Sequence, residues 1–189
     1  MEIFENLSFQ NIDYTIENIV KGEYEGCTFK NCNFANVDLS YYVFIDCVFD
    51  GCNMSLTKIH QVLFRDVKFI GSKMIGLQFG TTNEFGLSIA LDTCMLSNAS
   101  FYKTKLKETV FKNSKINEVD FSEADLTGAV FENCDLLNAI FDNTNLEKAD
   151  FRTSINYSID ADRNKIKKSK HSTAQLSGLL EKYKLEIEL

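Results

Sequence analysis

Phe121-Ser122-Glu123-Ala124-Asp125-Leu126-Thr127-Gly128-Ala129-Val130-Phe131-Glu132-Asn133-Cys134-Asp135-Leu136 carries the pattern on which the fold turns. A large apolar residue stands at every fifth position: Phe121, Leu126, Phe131 and Leu136. A small one sits two places before each of the last three, as Ala124, Ala129 and Cys134. Toward the C-terminus the row continues through Phe141, Leu146 and Phe151. Toward the N-terminus it runs back through Ile116, Phe111, Leu106, Phe101 and Leu96 to Leu91. An earlier run steps by five from Phe4 through Phe9, Tyr14, Ile19, Tyr24, Phe29, Phe34, Leu39, Phe44, Phe49, Met54, Ile59, Phe64, Phe69 and Met74 to Phe79. No helix has a period of five, and neither has a flat strand with its period of two.

A four-sided coil does, if each five-residue side turns one large and one small residue inward. Twenty residues then make a coil, and coils stack at roughly 4.8 Å. The coil period is visible on its own, because Phe101, Phe121 and Phe141 recur at twenty, as do Phe111, Phe131 and Phe151. Between them lie Leu106, Leu126 and Leu146, and Leu96, Ile116 and Leu136. All six cysteines, Cys27, Cys32, Cys47, Cys52, Cys94 and Cys134, fall at the small inward position, which makes them core filler. The expected fold is an all-β solenoid, a right-handed quadrilateral β-helix of about seven coils and roughly 35 Å, with a short C-terminal α-helix and strand.

Residues such as Ala124-Asp125-Leu126, Ala149-Asp150-Phe151 and Cys32-Asn33-Phe34 resemble the repeat of the pentapeptide repeat family, over about residues 4–151. The resemblance implies a filled rod without a central channel. Two domains are expected: residues 1–155 as the β-helix, and residues 156–189 as a cap and dimerisation module. Between Phe79 and Leu91 the step is twelve, so two extra residues enter near Gly80–Gly86. They form either one bulge or loop, or two six-residue steps through Phe85. After Phe151 the period fails at Asn156. From Thr173 a helical pattern places Leu176, Leu179, Leu180 and Tyr183 at i, i+3, i+4 and i+7, with Ser172 or Thr173 as N-cap. Leu185, Ile187 and Leu189 then alternate with charged residues as a short strand. The cap closes the last coil, and its four apolar residues form the expected homodimer interface.

Composition narrows the chemistry. Of 189 residues, 27 are acidic and 20 basic, a net charge of −7 that argues against a broad phosphate-binding surface and hence against direct nucleic-acid binding. The acidic N-terminus lacks a signal-peptide pattern and no apolar run is long enough to span a bilayer, so a cytoplasmic, membrane-free protein with reduced cysteines is expected. The cysteine spacings are not those of a metal site, and His60 and His171 lie in no triad or ligand pattern; both read as surface residues. No cofactor, metal or catalytic residue is expected, and a filled rod offers no cleft for an enzyme.

Charge is distributed unevenly. Residues 118–150 hold nine carboxylates against Lys148 alone, an acidic belt about as dense in charge as duplex DNA, with Asp120, Glu123, Asp125, Glu132, Asp135 and Asp142 as candidate partner-binding residues. The tail, Ile159-Asp160-Ala161-Asp162-Arg163-Asn164 and Leu179-Leu180-Glu181-Lys182-Tyr183-Lys184-Leu185-Glu186-Ile187, is similar to that of the topoisomerase-protecting members, the quinolone-resistance (Qnr) and microcin-immunity group. That resemblance implies a non-enzymatic dimer that mimics DNA on DNA gyrase or topoisomerase IV. The rival expectation is a protein–protein scaffold with another partner.

Overall fold

The computed structural model describes residues 2–186 and is a parallel β-solenoid of about seven turns. Its strands are β1 (Glu2–Glu5), β2 (Ser8–Gln10), β3 (Gly22–Glu25), β4 (Thr28–Lys30), β5 (Val43–Ile45), β6 (Val48–Asp50), β7 (Leu63–Arg65), β8 (Val67–Ile70), β9 (Ile89–Asp92), β10 (Val110–Lys112) and β11 (Val130–Glu132). The first side of the rod is the sheet β1-β3-β5-β7, and the second is the seven-stranded sheet β2-β4-β6-β8-β9-β10-β11. The third and fourth sides are held by single parallel bridges, such as Asp13–Asn33–Asn53 and Ser100–Asp120–Ile140. Partners lie twenty residues apart on both sides of a single slip, as in Glu2–Gly22 and Phe111–Phe131.

The coil turns most of its corners through residues two places after the inward side chain. These adopt the left-handed conformation, from Asn6 (φ 53°) through Asn36 (φ 61°) to Lys148 (φ 60°). Asn, Asp and Gly suit such positions, which explains their frequency there. The chain nevertheless places Tyr41, Leu56 and Glu118 at three of them.

The inward rings build the core. Within a ladder they stack nearly parallel, Phe111 on Phe131 at 4.7 Å and 4°, and Phe101 on Phe121 at 5.2 Å and 6°. Across the core they meet edge to face, Phe111 on Phe121 at 5.8 Å and 89°. Both geometries are the favoured ones for aromatic quadrupoles. In the first four coils the aromatic ladders occupy the first and second sides, Phe4-Tyr24-Phe44-Phe64 and Phe9-Phe29-Phe49-Phe69. Beyond Phe79 they occupy the second and fourth, and Leu106, Leu126 and Leu146 fill the first. The exchange coincides with the insertion.

At that point the register slips from twenty to twenty-two, in Val67–Ile89, Lys73–Met95 and Gln78–Ser100. It returns to twenty at Leu91–Phe111. Asn83 still bonds back to Val62, whereas Ser88 donates to Phe64, so the extra residues lie between them. Phe85 is 86% exposed, which rules out a second inward step through it.

The cysteines are buried and free, and they do more than fill space. Each Sγ lies 3.2–3.5 Å from a main-chain carbonyl of the preceding coil: Cys47 from Tyr24, Cys52 from Phe29, Cys134 from Phe111. Ser72 and Ser154 make the same bond to Phe49 and Phe131. These carbonyls end strand sides and lack the turn bond found at other corners, for example Val37 N–H to Phe34 O. A small donor side chain is therefore what the position requires. Burial pushes the Cys47 and Cys52 thiols up to about 12.

The ladder continues past residue 155. Tyr157 and Ile159 are buried, one and three places beyond the interrupted step, and bridges Asn145–Lys165 and Asp150–Lys170 add part of a further turn. His171, read from sequence as a surface residue, stands twenty after Phe151 and stacks on it at 5.5 Å and 9°, ending the aromatic ladder of the second side. The expected C-terminal helix is present over Thr173–Leu179 and Glu181–Tyr183, but wound as 3-10 and not α. Its bonds are Gln175 to Ser172 and Leu180 to Ser177. Ser172 makes no side-chain cap bond, and the Gly178 carbonyl is taken by the Ile159 amide at 2.8 Å. That bond removes an acceptor an α-turn would use. Leu185 and Glu186 are irregular, and Ile187 and Leu189 of the expected strand lie outside the described residues.

Candidate functional site: the acidic belt and the C-terminal cap

The coil disperses the six belt carboxylates over four sides. Asp120, Glu123 and Asp142 stand on the fourth, Asp125 on the first, Glu132 on the second and Asp135 on the third. It also brings lysines and an arginine from adjacent coils alongside. Lys103 pairs with Glu123 at 3.4 Å, Lys107 with Asp125 at 3.4 Å, Lys112 with Glu132 at 3.3 Å and Arg163 with Asp142 at 2.6 Å. Tyr102 donates to Glu123 at 2.9 Å. Asp135 accepts from the Asn156 amide at 2.8 Å, and Asp120 from the Ser122 backbone at 2.9 Å. Burial opposes ionisation of Asp125, yet bonds from Thr127 and the Lys107 ammonium hold its carboxyl below the usual range.

The belt is thus largely compensated where it stands. The densest unpaired acid lies elsewhere: on the first side, Glu5, Glu23, Glu25 and Asp46 form no ion pair among the described residues. Summing charge along the sequence gives residues 1–50 a net −7 but does not tell which carboxylates remain without an ion pair. The pairs at a spacing of twenty, Lys103 with Glu123 and Lys112 with Glu132, were the available signal.

The cap is fastened at two points. Lys182 bridges Asp160 and Asp162. Gly178 packs so close that a Cβ there would lie 2.1 Å from the Tyr157 carbonyl. Of the four expected interface residues, Leu179 packs on the core, while Leu176, Leu180 and Tyr183 are exposed together with Leu185. Leu180 and Leu185 line a shallow groove with Leu137, Asn156 and Tyr157.

One constellation resembles a catalytic relay. His171 Nε2 is 2.9 Å from Ser169 Oγ, and Nδ1 is 3.0 Å from the Tyr157 hydroxyl. Ser169 spends its only proton on the Ile166 carbonyl at 2.8 Å, so it accepts from Nε2–H and is not activated as a nucleophile. Burial lowers the His171 pKa against the opposing effect of Asp150, and the ring serves as a neutral end-stop for the ladder. Among the described residues no group of three or more His, Cys, Asp or Glu is placed to hold a metal ion, and no helix is long and apolar enough to cross a membrane.

The family model for the pentapeptide repeat region matches residues 17–91 and 88–159. Among curated proteins there is no match. Of solved structures, one trypsin-treated variant of QnrB1, described as a plasmid-mediated fluoroquinolone resistance protein, aligns at 20% identity and TM-score 0.61, covering 100% of this chain and 92% of the other. A second such variant aligns at 20% identity and TM-score 0.51, covering 99% and 100%. HetL, a pentapeptide repeat protein involved in heterocyst differentiation regulation in the cyanobacterium Nostoc sp. strain PCC 7120, aligns at 12% identity and TM-score 0.53, covering 90% and 86%. At these identities the likeness is one of fold.

Proposed function

Because this chain belongs to the pentapeptide repeat family, we propose that it is a non-enzymatic, cytoplasmic rod that binds DNA gyrase or topoisomerase IV in place of duplex DNA and so relieves quinolone-type poisoning. The observation that carries the reading is the pairing of a filled rod with unpaired acid on the N-terminal coils of its first side. Glu5, Glu23, Glu25 and Asp46 offer uncompensated charge at coil spacing to a surface built to hold phosphates. On this reading the N-terminal coils make the principal ionic contact. In the belt, Glu118, Asp120, Asp135 and Glu147 are free of ion pairs among the described residues, and Glu123, Asp125, Glu132 and Asp142 contribute only where the partner displaces their cations.

The cap supplies the dimer. Leu176, Leu180 and Tyr183 remain exposed beside a groove of mixed polar and apolar lining at the end of the rod, and a second copy placed there end to end covers both. A scaffold for an unrelated partner needs the same rod but places no demand on the acidic side.

A supercoiling assay with a fluoroquinolone distinguishes the two. Wild-type protein is expected to restore supercoiling at low salt, and Glu23→Gln with Glu25→Gln to weaken that protection. No protection by wild-type protein on either enzyme refutes the topoisomerase reading.

A further inference from the structure

In each of three columns along the first side the charges toward the N-terminal end are acidic and those at the C-terminal end basic, although Arg65, Glu108, Asp125 and Glu147 interrupt the order between them. The column before the inward residue holds Glu23 near one end and Lys165 near the other, joined through Val43 and the bridges Lys105–Asp125–Asn145–Lys165. Glu23 and Lys165 are 142 residues apart, which is seven coils of twenty and the two inserted residues. The column after the inward residue holds Glu25, following Tyr24, and Lys167, following Ile166, again seven coils apart. The left-handed corner column holds Asp46 (φ 51°) and Lys148 (φ 60°), which are 102 residues apart, five coils and the same insertion.

All three spans share one midpoint, between the coil of Phe85 and the coil of Lys105 and Lys107. None of the six end residues forms an ion pair among the described residues. On the second side the corresponding column instead mixes acid and base along its whole length, as Lys30, Asp50, Asp92, Lys112, Glu132 and Arg152.

We propose that two copies of this chain associate side by side and antiparallel along this first side. A two-fold axis lying across the side at the shared midpoint returns each column onto itself with its direction reversed. Glu23 then meets the partner's Lys165, Glu25 the partner's Lys167 and Asp46 the partner's Lys148, each contact occurring twice. Near the axis, the exposed ring of Phe85 lies over the stems and ammonium groups of the partner's Lys105 and the partner's Lys107, a cation–π arrangement.

The strip is about 34 Å long at coil spacing and roughly 12 Å wide, so it buries about 800 Å² in total. Stable interfaces bury roughly 1,200 Å² or more, so the association is weak, reversible and sensitive to salt. It uses a surface distinct from the cap but shared with the proposed topoisomerase contact, so Glu23, Glu25 and Asp46 serve one association or the other and not both at once.

Sedimentation velocity tests it in a Leu176→Glu, Leu180→Glu background, which removes association through the cap. At about 20 mM salt the weight-average mass is expected to rise with concentration toward two protomers, and at about 500 mM to stay at one. Glu23→Lys with Glu25→Lys, and separately Lys165→Glu with Lys167→Glu, should each remain monomeric at low salt. An equimolar mixture of the two should associate, because reversed ends then face reversed ends. Carbodiimide coupling of the unreversed protein should link Glu25 to Lys167 between chains. A background protein that is monomeric at low salt, reversed variants that associate as well as it does, or a mixture that does not recover would each overturn the proposal.

Discussion

Replacing Phe121 by Ala probes the packing that holds the rod together. The ring is fully buried, stacked between Phe101 at 5.2 Å and Phe141 at 5.3 Å, and met edge-on by Phe111 at 5.8 Å and Phe131 at 5.9 Å. Truncating a buried Phe costs about 3–5 kcal/mol. The upper half of that range applies here for two reasons. Four aromatic contacts go at once, each contributing about 0.5–1.5 kcal/mol beyond burial. The cavity also lies between coils whose spacing is fixed by bridges Ser100–Asp120 and Asp120–Ile140, so it collapses poorly. Among the described residues Phe141 makes aromatic contacts with Phe121 and Phe151 alone and is 7% exposed, so Phe141→Ala should cost about 3 kcal/mol. Ser122→Ala, on the outside, should cost less than about 0.5 kcal/mol. Urea unfolding followed by far-ultraviolet circular dichroism measures all three. Equal costs for Phe121 and Ser122, or a larger cost for Phe141 than for Phe121, would refute the inward register and the edge-to-face core.

The cysteines should label slowly with a thiol reagent at pH 8, since all six are buried and burial raises the pKa of Cys47 and Cys52, and all six should react in denaturant; rapid labelling of native protein would contradict their placement. Cys52→Ser keeps a donor for the Phe29 carbonyl and should destabilise less than Cys52→Val, which leaves that carbonyl unpaired; thermal melts rank the two. Gly178→Ala should loosen the cap, because the new methyl overlaps the Tyr157 carbonyl; faster amide exchange at Ile159 is the expected readout, with the exchange of Phe111 unchanged. The Asp150 carboxyl is held below its ordinary range, chiefly by the Arg152 guanidinium and also by Lys170. Its folded pKa therefore lies under the unfolded one near 4. The stability it contributes is complete above that value and lost as pH falls through the folded pKa. Asp150→Asn should accordingly flatten the decline in stability below about pH 4, and an unchanged acid profile would count against the pairing.

The rod was legible in the sequence because its core rule is local and repeats: each inward residue announces itself five positions from the next. The two-residue slip was legible for the same reason, as a break in a strict count. What escaped depended on neighbours one coil away. Glu123 and Glu132 read as free acid until Lys103 and Lys112 stand beside them, and His171 read as surface until Phe151 stands beneath it. The cysteines looked like filler because their role is set by a carbonyl in the preceding coil. The C-terminal turn departs from α geometry because Gly178 gives its carbonyl to Ile159, a contact that spacing of apolar residues does not encode.

Competition for the enzyme's duplex site bears most directly on the functional account. Purified gyrase, or topoisomerase IV, would be loaded with a fluorescent DNA duplex and titrated with wild-type protein at several salt concentrations, following anisotropy. The account predicts displacement of the duplex, weakening with salt, and weaker displacement with a flatter salt dependence for Glu23→Gln with Glu25→Gln. Binding of the protein to either enzyme with the duplex still held, or no binding to either, would contradict it.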